Sequence, residues 1–250
     1  MPFTEPDLPT FTAWCRGWAI SREVAPPVPC GDGFHIDVGL PRQAARYVFP
    51  HASPRLRELG ATIAQPWVFL KACASADELR ALLPAHWVMQ PDGALMTCDD
   101  APFAGSGTLA PGYVLHVTDD GARTRCAHVQ VLAPDGAPAA SGHLALDERT
   151  AIYDRIVTDP AHQRRGLGGA VMHALQALAH AHGLHAGVLV ATPAGRALYG
   201  SLGWRMRGPW SGANEIVRCR HDCLLWFSAK YSEFFRLQCL VFRKCKAEGV

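Results

Sequence analysis

The sequence predicts an α/β protein, and three features of its second half carry that expectation. Residues 113–160 contain a series of segments with alternating or continuous apolar character, separated by DG, PDG and ERT turns, as successive strands require. After Gly166 the apolar period changes from 2 to 3.6, with Leu167, Val171, Leu175 and Leu178 on one helical face. An apolar strand, AGVLVA, and a short helix over residues 194–202 then follow. An additional α/β region precedes all of this.

From the N-terminus, residues 8–22 place Phe11, Trp14, Cys15 and Trp18 at helical intervals, and PPVPCGDG breaks the chain after them. FHIDVG reads as a strand, RQAARYVF and SPRLRELGATIA as short helices, and WVFLKACA as a strand. Ser75-Ala76-Asp77-Glu78 is a capping box that opens a helix stopped by Pro84. Residues 99–112, rich in Gly, Pro and Ser, are the expected linker. It divides an N-terminal region, 1–98, from a domain over 112–218, in which YVLHVTDD, TRCAHVQVLAPDG, AASGHLALDE and TAIYDRIVTDP are strands and GWRMRG and EIVRCR weaker ones.

The chain has 250 residues, about half of them apolar and 18% charged, with a formal net charge of +2. That size suffices for a hydrophobic core, and the charge does not argue for nucleic acid or an anionic membrane as partner. No apolar run approaches the ~20 residues that span a bilayer. The opening MPFTEPDLPTF carries acid and proline where a secretion signal needs basic and apolar residues, so a cytoplasmic location is expected. Nine scattered cysteines suggest reduced thiols. Cys219, His221 and Cys223 cluster, but without a CxxC pair they lack the ligand spacing usual for structural zinc, and no metal is expected.

The informative segment is AIYDRIVTDPAHQRRGLGGAVMHAL. A strand ends at Asp159-Pro160, a basic, glycine-bearing loop follows over Gln163-Arg164-Arg165-Gly166-Leu167-Gly168-Gly169, and a helix starts directly after it. A helix N-terminus leaves about four N–H groups unbonded and carries partial positive charge, both of which favour an anion. Glycines let a phosphate approach the main chain, and Arg164 and Arg165 can neutralise a pyrophosphate. A bare GxGG would be only a turn with two solvated arginines; the whole strand–Pro–QRRGLGG–helix pattern is far rarer by chance. GxxxxGK[ST] is absent, and GxGxxG does not follow a first strand.

Here the sequence resembles the GNAT (Gcn5-related) N-acetyltransferase superfamily. Gln163-Arg164-Arg165-Gly166-Leu167-Gly168 fits its Q/R-x-x-G-x-G/A motif at every fixed position. Leu198-Tyr199-Gly200-Ser201-Leu202-Gly203-Trp204 resembles its second signature, Leu-Tyr-x-x-Leu-Gly-Phe, some 30 residues downstream. The resemblance covers roughly residues 112–218. It implies the GNAT fold, a central mixed twisted sheet flanked by helices, and acetyl-CoA as co-substrate. Residues 1–98 would then be a degenerate partner half, as in tandem-lobed members, or the source of the family's early strand and helices.

The resemblance further implies a splayed parallel strand pair with the pantetheine arm between the strands. Backbone groups of Ile156, Val157 and Thr158 would pair with the arm, and N–H groups from Gln163 to Gly168, with Gly169, would hold the pyrophosphate. A primary amine of a small molecule or peptide would attack the thioester directly. Tyr199 matches the family's usual acid for the leaving thiolate. Asp154 is the candidate base, with Glu148 and His143 behind it, although ion pairing with an arginine is the more frequent fate of such an acid. The family's Asn, seven residues before the tyrosine, is replaced by Thr192, whose hydroxyl can make one bond to the cofactor. The intact glycines and Tyr199 favour an active transferase; the missing Asn keeps open a silent acyl-CoA-binding module acting as sensor or scaffold.

Residues 219–250 break with the body of the chain in composition, being dense in Phe, Leu, Cys and basic residues. They are expected to be a peripheral tail. It could pack on the domain or on a second subunit as a homodimer, touch a membrane as a basic amphipathic helix, or be no selected part of the fold.

Overall fold

The computed structural model describes residues 7–99 and 103–215. Helix α1 (Leu8–Arg22) starts where Asp7 accepts a hydrogen bond from the Thr10 N–H at 2.7 Å, and Phe11, Trp14, Cys15 and Trp18 form its buried stripe. The N-terminal half continues with β1 (Val28–Cys30), β2 (Gly33–Leu40), β3 (Gln43–Phe49), α2 (Arg55–Thr62), β4 (Val68–Ala72), α3 (Ala76–Leu82), β5 (Val88–Met89) and β6 (Gly93–Cys98). The C-terminal half contains β7 (Val114–Asp119), the one-turn α4 (Gly121–Thr124), β8 (Cys126–Leu132), β9 (Pro138–Asp147), β10 (Thr150–Thr158), α5 (Leu167–Ala181), β11 (Ala186–Ala191), α6 (Pro193–Ser201) and β12 (Arg205–Asn214). The Ser75–Glu78 capping box forms as its sequence requires.

Among the described residues, the twelve strands join one mixed sheet in the order β1-β2-β3-β4-β12-β6-β11-β10-β9-β8-β7, with β5 on β12. Only β3/β4 and β10/β11 are parallel. These two pairs reveal a repeat: β2-β3-α2-β4-α3-β6 has the same order of elements as β9-β10-α5-β11-α6-β12. Each half gives its last strand to the other. β6 pairs with β11 over residues 94–98, β12 pairs with β4 over 211–214, and the two exchanged strands pair with each other at the centre. A boundary between residues 98 and 112 is therefore not where the molecule divides. Within the supposed linker, Phe103 is buried against Tyr153 and Trp204, and its N–H donates to Gln176 Oε1 at 3.0 Å.

Helices α2 and α3 cover the N-terminal half on one face, over Phe49, Leu56, Leu70 and Leu79, and α5 covers the C-terminal half over Val129, Leu144 and Leu175. Helix α1 lies on the other face and packs on both halves: Phe11 meets Phe34, Trp14 meets Trp210 edge-on, and Ile152 and Val188 complete the cluster. Each large side chain so buried contributes roughly 1.5–3 kcal/mol. Arg16 and Arg125 both reach the buried carboxylate of Asp147, at 2.8 and 3.2 Å, and tie α1 to the end of β9.

Two segments differ from their sequence reading. RQAARYVF is strand β3 rather than a helix, because pairing with β2 and β4 on both sides outweighs the helical preference of Gln-Ala-Ala-Arg. GWRMRG is not a short strand of its own but the start of β12, which runs through Gly208 and Pro209 past a register shift between Met206 and Gly208. Pro209 lies beyond that shift, in register with Ala94. EIVRCR, apart from Glu215, lies outside the described residues, as do Cys219, His221, Cys223 and the rest of the tail.

Candidate active site

Strands β10 and β11 pair at three positions only, Thr150↔Ala186, Ala151↔Gly187 and Ile152↔Val188. Beyond Ile152, β10 continues to Thr158 bonded on one side alone, to β9. A bulge between Asp154 and Val157, with Arg155 at φ 56°, marks the point of divergence. Val157 and Thr158 thus keep a ladder on the β9 side, while the edge of residues 156–158 facing β11 is open.

The loop after β10 is held from within. Asp159 accepts from the Ala161 N–H at 2.9 Å, and Gln163 Nε2 donates to the Thr158 carbonyl at 3.3 Å. Arg164 and Gly166 adopt φ 62° and 77°, and Gly166 is the N-cap of α5. The helix's first backbone bond runs from the Ala170 N–H to the Gly166 carbonyl at 3.1 Å. Among the described residues, the N–H groups of Leu167, Gly168 and Gly169 have no acceptor, as the first turn of a helix dictates. A Cβ on Gly168 would lie 3.0 Å from Leu198 Cδ2 of α6 and 3.5 Å from Thr158 Oγ1, so glycine keeps this concave floor open. Arg165 donates to the Tyr113 hydroxyl at 2.9 Å, and that hydroxyl lies 2.9 Å from His162 Nδ1, which fixes one cation at the rim. The Leu167 side chain is buried in the core, so only its N–H faces the site.

Tyr199, on α6, has its ring buried beside Trp204, and its hydroxyl makes no hydrogen bond to protein among the described residues. Burial, and secondarily the Asp154 carboxylate, push its phenol well above the usual range, so it stays protonated and able to donate. Thr192 is the N-cap of α6, with Oγ1 accepting from the Gly195 N–H at 3.1 Å. That use accounts for its hydroxyl without a cofactor.

Asp154 is not arranged as a base. Arg22 Nε donates to Oδ2 at 2.8 Å, Arg22 Nη2 to Oδ1 at 3.2 Å, and Ser21 Oγ to Oδ2 at 2.6 Å. Burial alone would raise this carboxyl, but Arg22 and these bonds outweigh it and hold it well below the usual carboxylate range. A carboxylate with both oxygens engaged accepts a proton poorly. His143 lies tilted against His128 across the strands; burial and Arg155 lower it to about 3, so it is neutral at physiological pH. Glu148 is exposed in the turn before β10, at the end of the strand remote from the loop. The Ser21–Arg22–Asp154 contact had no local signal in the sequence, since its partners are more than 130 residues apart.

A parallel strand pair thus opens beside a glycine-bearing helix N-terminus, a geometry suited to an extended ligand that carries an anion. Residues 115–206 match the family model described as Acetyltransferase (GNAT) domain. Among solved structures, a GCN5-related N-acetyltransferase from Kribbella flavida superposes with a TM-score of 0.56 at 14% identity, over 81% of this chain and 93% of that one. A putative acetyltransferase of the GNAT family from Novosphingobium aromaticivorans gives 0.52 at 16% identity, over 82% and 95%. A tandem GNAT protein from the clavulanic acid biosynthesis pathway gives 0.50 at 16% identity, over 86% and 97%. No curated protein matches the sequence. At these identities the structural likeness is one of fold. Residues 115–206 match the GNAT acetyltransferase domain model, and the described residues have the fold of GNAT structures.

Proposed function

We propose that the protein is an acetyl-CoA-dependent N-acetyltransferase that transfers an acetyl group to a primary amine of a small molecule or peptide by direct attack. The observation that carries this reading is the opening of β10 from β11 beside a row of unbonded N–H groups at Leu167, Gly168 and Gly169. An extended pantetheine arm would add to the free edge of Ile156, Val157 and Thr158 as a further strand does. The pyrophosphate would sit on the N-terminus of α5, with Arg164 and Arg165 at the mouth. Tyr199, buried, protonated and with no partner for its hydroxyl among the described residues, would donate to the departing thiolate.

Asp154 has its carboxylate fully engaged by Arg22 and Ser21, so no base is assigned, and the acceptor amine would arrive already neutral or lose its proton to water. The same engagement favours, as a second reading, a silent acyl-CoA-binding module. A panel of primary amines with acetyl-CoA, following free thiol release, separates the two: turnover supports the transferase, and cofactor binding without turnover supports the module. We further place the protein in the cytoplasm, since the five described cysteines are all unpaired. No helix among the described residues is long and apolar enough to cross a membrane.

A further inference from the structure

On the face of the sheet that α1 covers, cations outnumber carboxylates. Starting at the strand opening, Asp154 pairs with Arg22, and the Arg22 guanidinium carbon lies 5.2 Å from the Trp18 ring centroid. Arg46 of β3 stacks on the same ring at 4.0 Å and approaches Phe69 of β4 at 5.8 Å. Lys71 Nζ lies 5.5 Å from that Phe69 ring. Arg22, Arg46 and Lys71 thus form a contiguous row from the candidate thioester position into the N-terminal half.

One carboxylate serves the whole row, and Arg22 occupies it. The side-chain amide beside Arg46 is that of the neutral Gln43, whose oxygen can accept from Nε and Nη2 once the amide is turned. Neither Arg46 nor Lys71 forms an ion pair among the described residues, and Lys71 has no hydrogen bond. The neighbouring thiols of Cys15 and Cys73 are pushed up by burial and remain neutral, so they supply no counter-charge. Both cations are largely buried, with part of each residue still at the surface. The Lys71 stem runs over Gly212 of β12, where any Cβ would collide with Nζ and Cδ, so the ammonium is placed by a glycine in the exchanged strand. Burial, and then the charge of Arg22, lower Arg46 to about 9; burial, and then the charge of Arg46, lower Lys71 to about 7. An arrangement that costs stability in this way persists where a bound anion offsets it.

We propose that Arg46 and Lys71 bind an oxyanion, carboxylate or phosphate, carried by the acceptor amine, so that the N-terminal half selects acidic acceptors for the C-terminal half. This rests on the transferase reading above. The amine would lie near Asp154 and Tyr199 and its anionic group further along the row, with Arg46 placed over the Trp18 ring and Lys71 supplying a point charge.

The test supplies each amine of a panel in three matched forms, as carboxylate, carboxamide and phosphate, and measures transfer by wild type, Lys71→Met and Lys71→Arg. The carboxylate or the phosphate is expected to exceed the carboxamide in kcat/KM by about tenfold or more, the usual worth of a charge-assisted hydrogen bond, mainly through KM. Whichever of the two is preferred identifies the oxyanion. Lys71→Met should bring the forms near parity and Lys71→Arg restore part of the preference, with acetyl-CoA affinity as in wild type. Equal use of acid and carboxamide, or a preference that survives Lys71→Met, overturns the proposal. A second arm needs no cofactor: acetate and inorganic phosphate should each be tried for a rise in melting temperature that Lys71→Met removes. If acetyl-CoA binds but neither arm responds, only the oxyanion site is wrong; if acetyl-CoA does not bind, the transferase reading fails and the second arm still decides the oxyanion site.

Discussion

The two halves share an order of elements and differ where a cofactor would enter. In the C-terminal half the parallel pair closes at three positions and then opens; in the N-terminal half it stays closed at five, from Ala45↔Val68 to Phe49↔Ala72. After β10 comes a loop with Gly166 as N-cap and unbonded N–H groups beyond it. After β3 comes Pro-His-Ala-Ser-Pro, and the N–H groups at the start of α2 are already used: Arg55 donates to Ser53 Oγ at 3.2 Å, Leu56 to the Ser53 carbonyl at 3.0 Å, and Arg57 to the Pro54 carbonyl at 3.0 Å. The second helical position is Gly168 in one half and the fully buried Leu56 in the other. Two halves with one order of elements thus differ in one closed strand pair and one helix end whose N–H groups are already used. What the N-terminal half keeps is a wall, with Arg46 and Lys71 facing α1.

The largest expected effect breaks this asymmetry at its centre. Gly168→Glu should lower acetyl-CoA affinity by roughly a hundredfold or more, because like-charge juxtaposition costs several kcal/mol. Pro54→Glu, at the N-cap of α2, should leave that affinity as it was. Titration calorimetry on both variants checks this, and equal effects would erase the distinction between the halves.

Tyr199→Phe should lower kcat by roughly ten- to a thousandfold, as the loss of one general acid does, with little change in acetyl-CoA binding. Helix α3, the counterpart of α6, carries no hydroxyl at all. An unaltered kcat would make Tyr199 a packing residue, as alike in role to its counterpart as it is in position.

Asp154→Asn should destabilise the fold by roughly 2–4 kcal/mol, since it leaves Arg22 without its carboxylate in a half-buried site. The carboxyl is held low in the folded protein, so its contribution is complete above the ordinary carboxylate pKa of about 4 and is lost as pH falls toward the folded value. The difference between wild type and variant should be flat near neutrality and shrink in acid. Denaturant melts across that range read it, and a difference that grows on acidification would contradict the ion pair. The smallest effect is expected from truncation after Arg218. The described strands end at Asn214, so acetyl-CoA affinity should match that of the full chain; loss of binding would make residues 219–250 part of the working domain.

Much of the C-terminal half was legible because its signals are local. The alternation of β7 to β10, the period change at Gly166, and the loop itself each lie within a few residues. The exchanged strands were not legible, because pairing of β6 with β11 and of β12 with β4 spans far more of the chain than any window reads. The short run GALMTC carries no turn-bounded alternation, and Gly208-Pro209 inside β12 reads as an interruption. The same distance hid the site's electrostatics. Asp154 stands on the expected strand, but its partners Ser21 and Arg22 come from the far end of the chain, and so do Arg46 and Lys71. Thr192 followed from local rules in a different role, as a cap before Pro193.

One half of the molecule is expected to hold the cofactor and the other not. Calorimetric titration of the full chain with acetyl-CoA measures this directly. One molecule bound per chain, absent in Gly168→Glu, is the predicted result; no binding, or two molecules per chain, would contradict it.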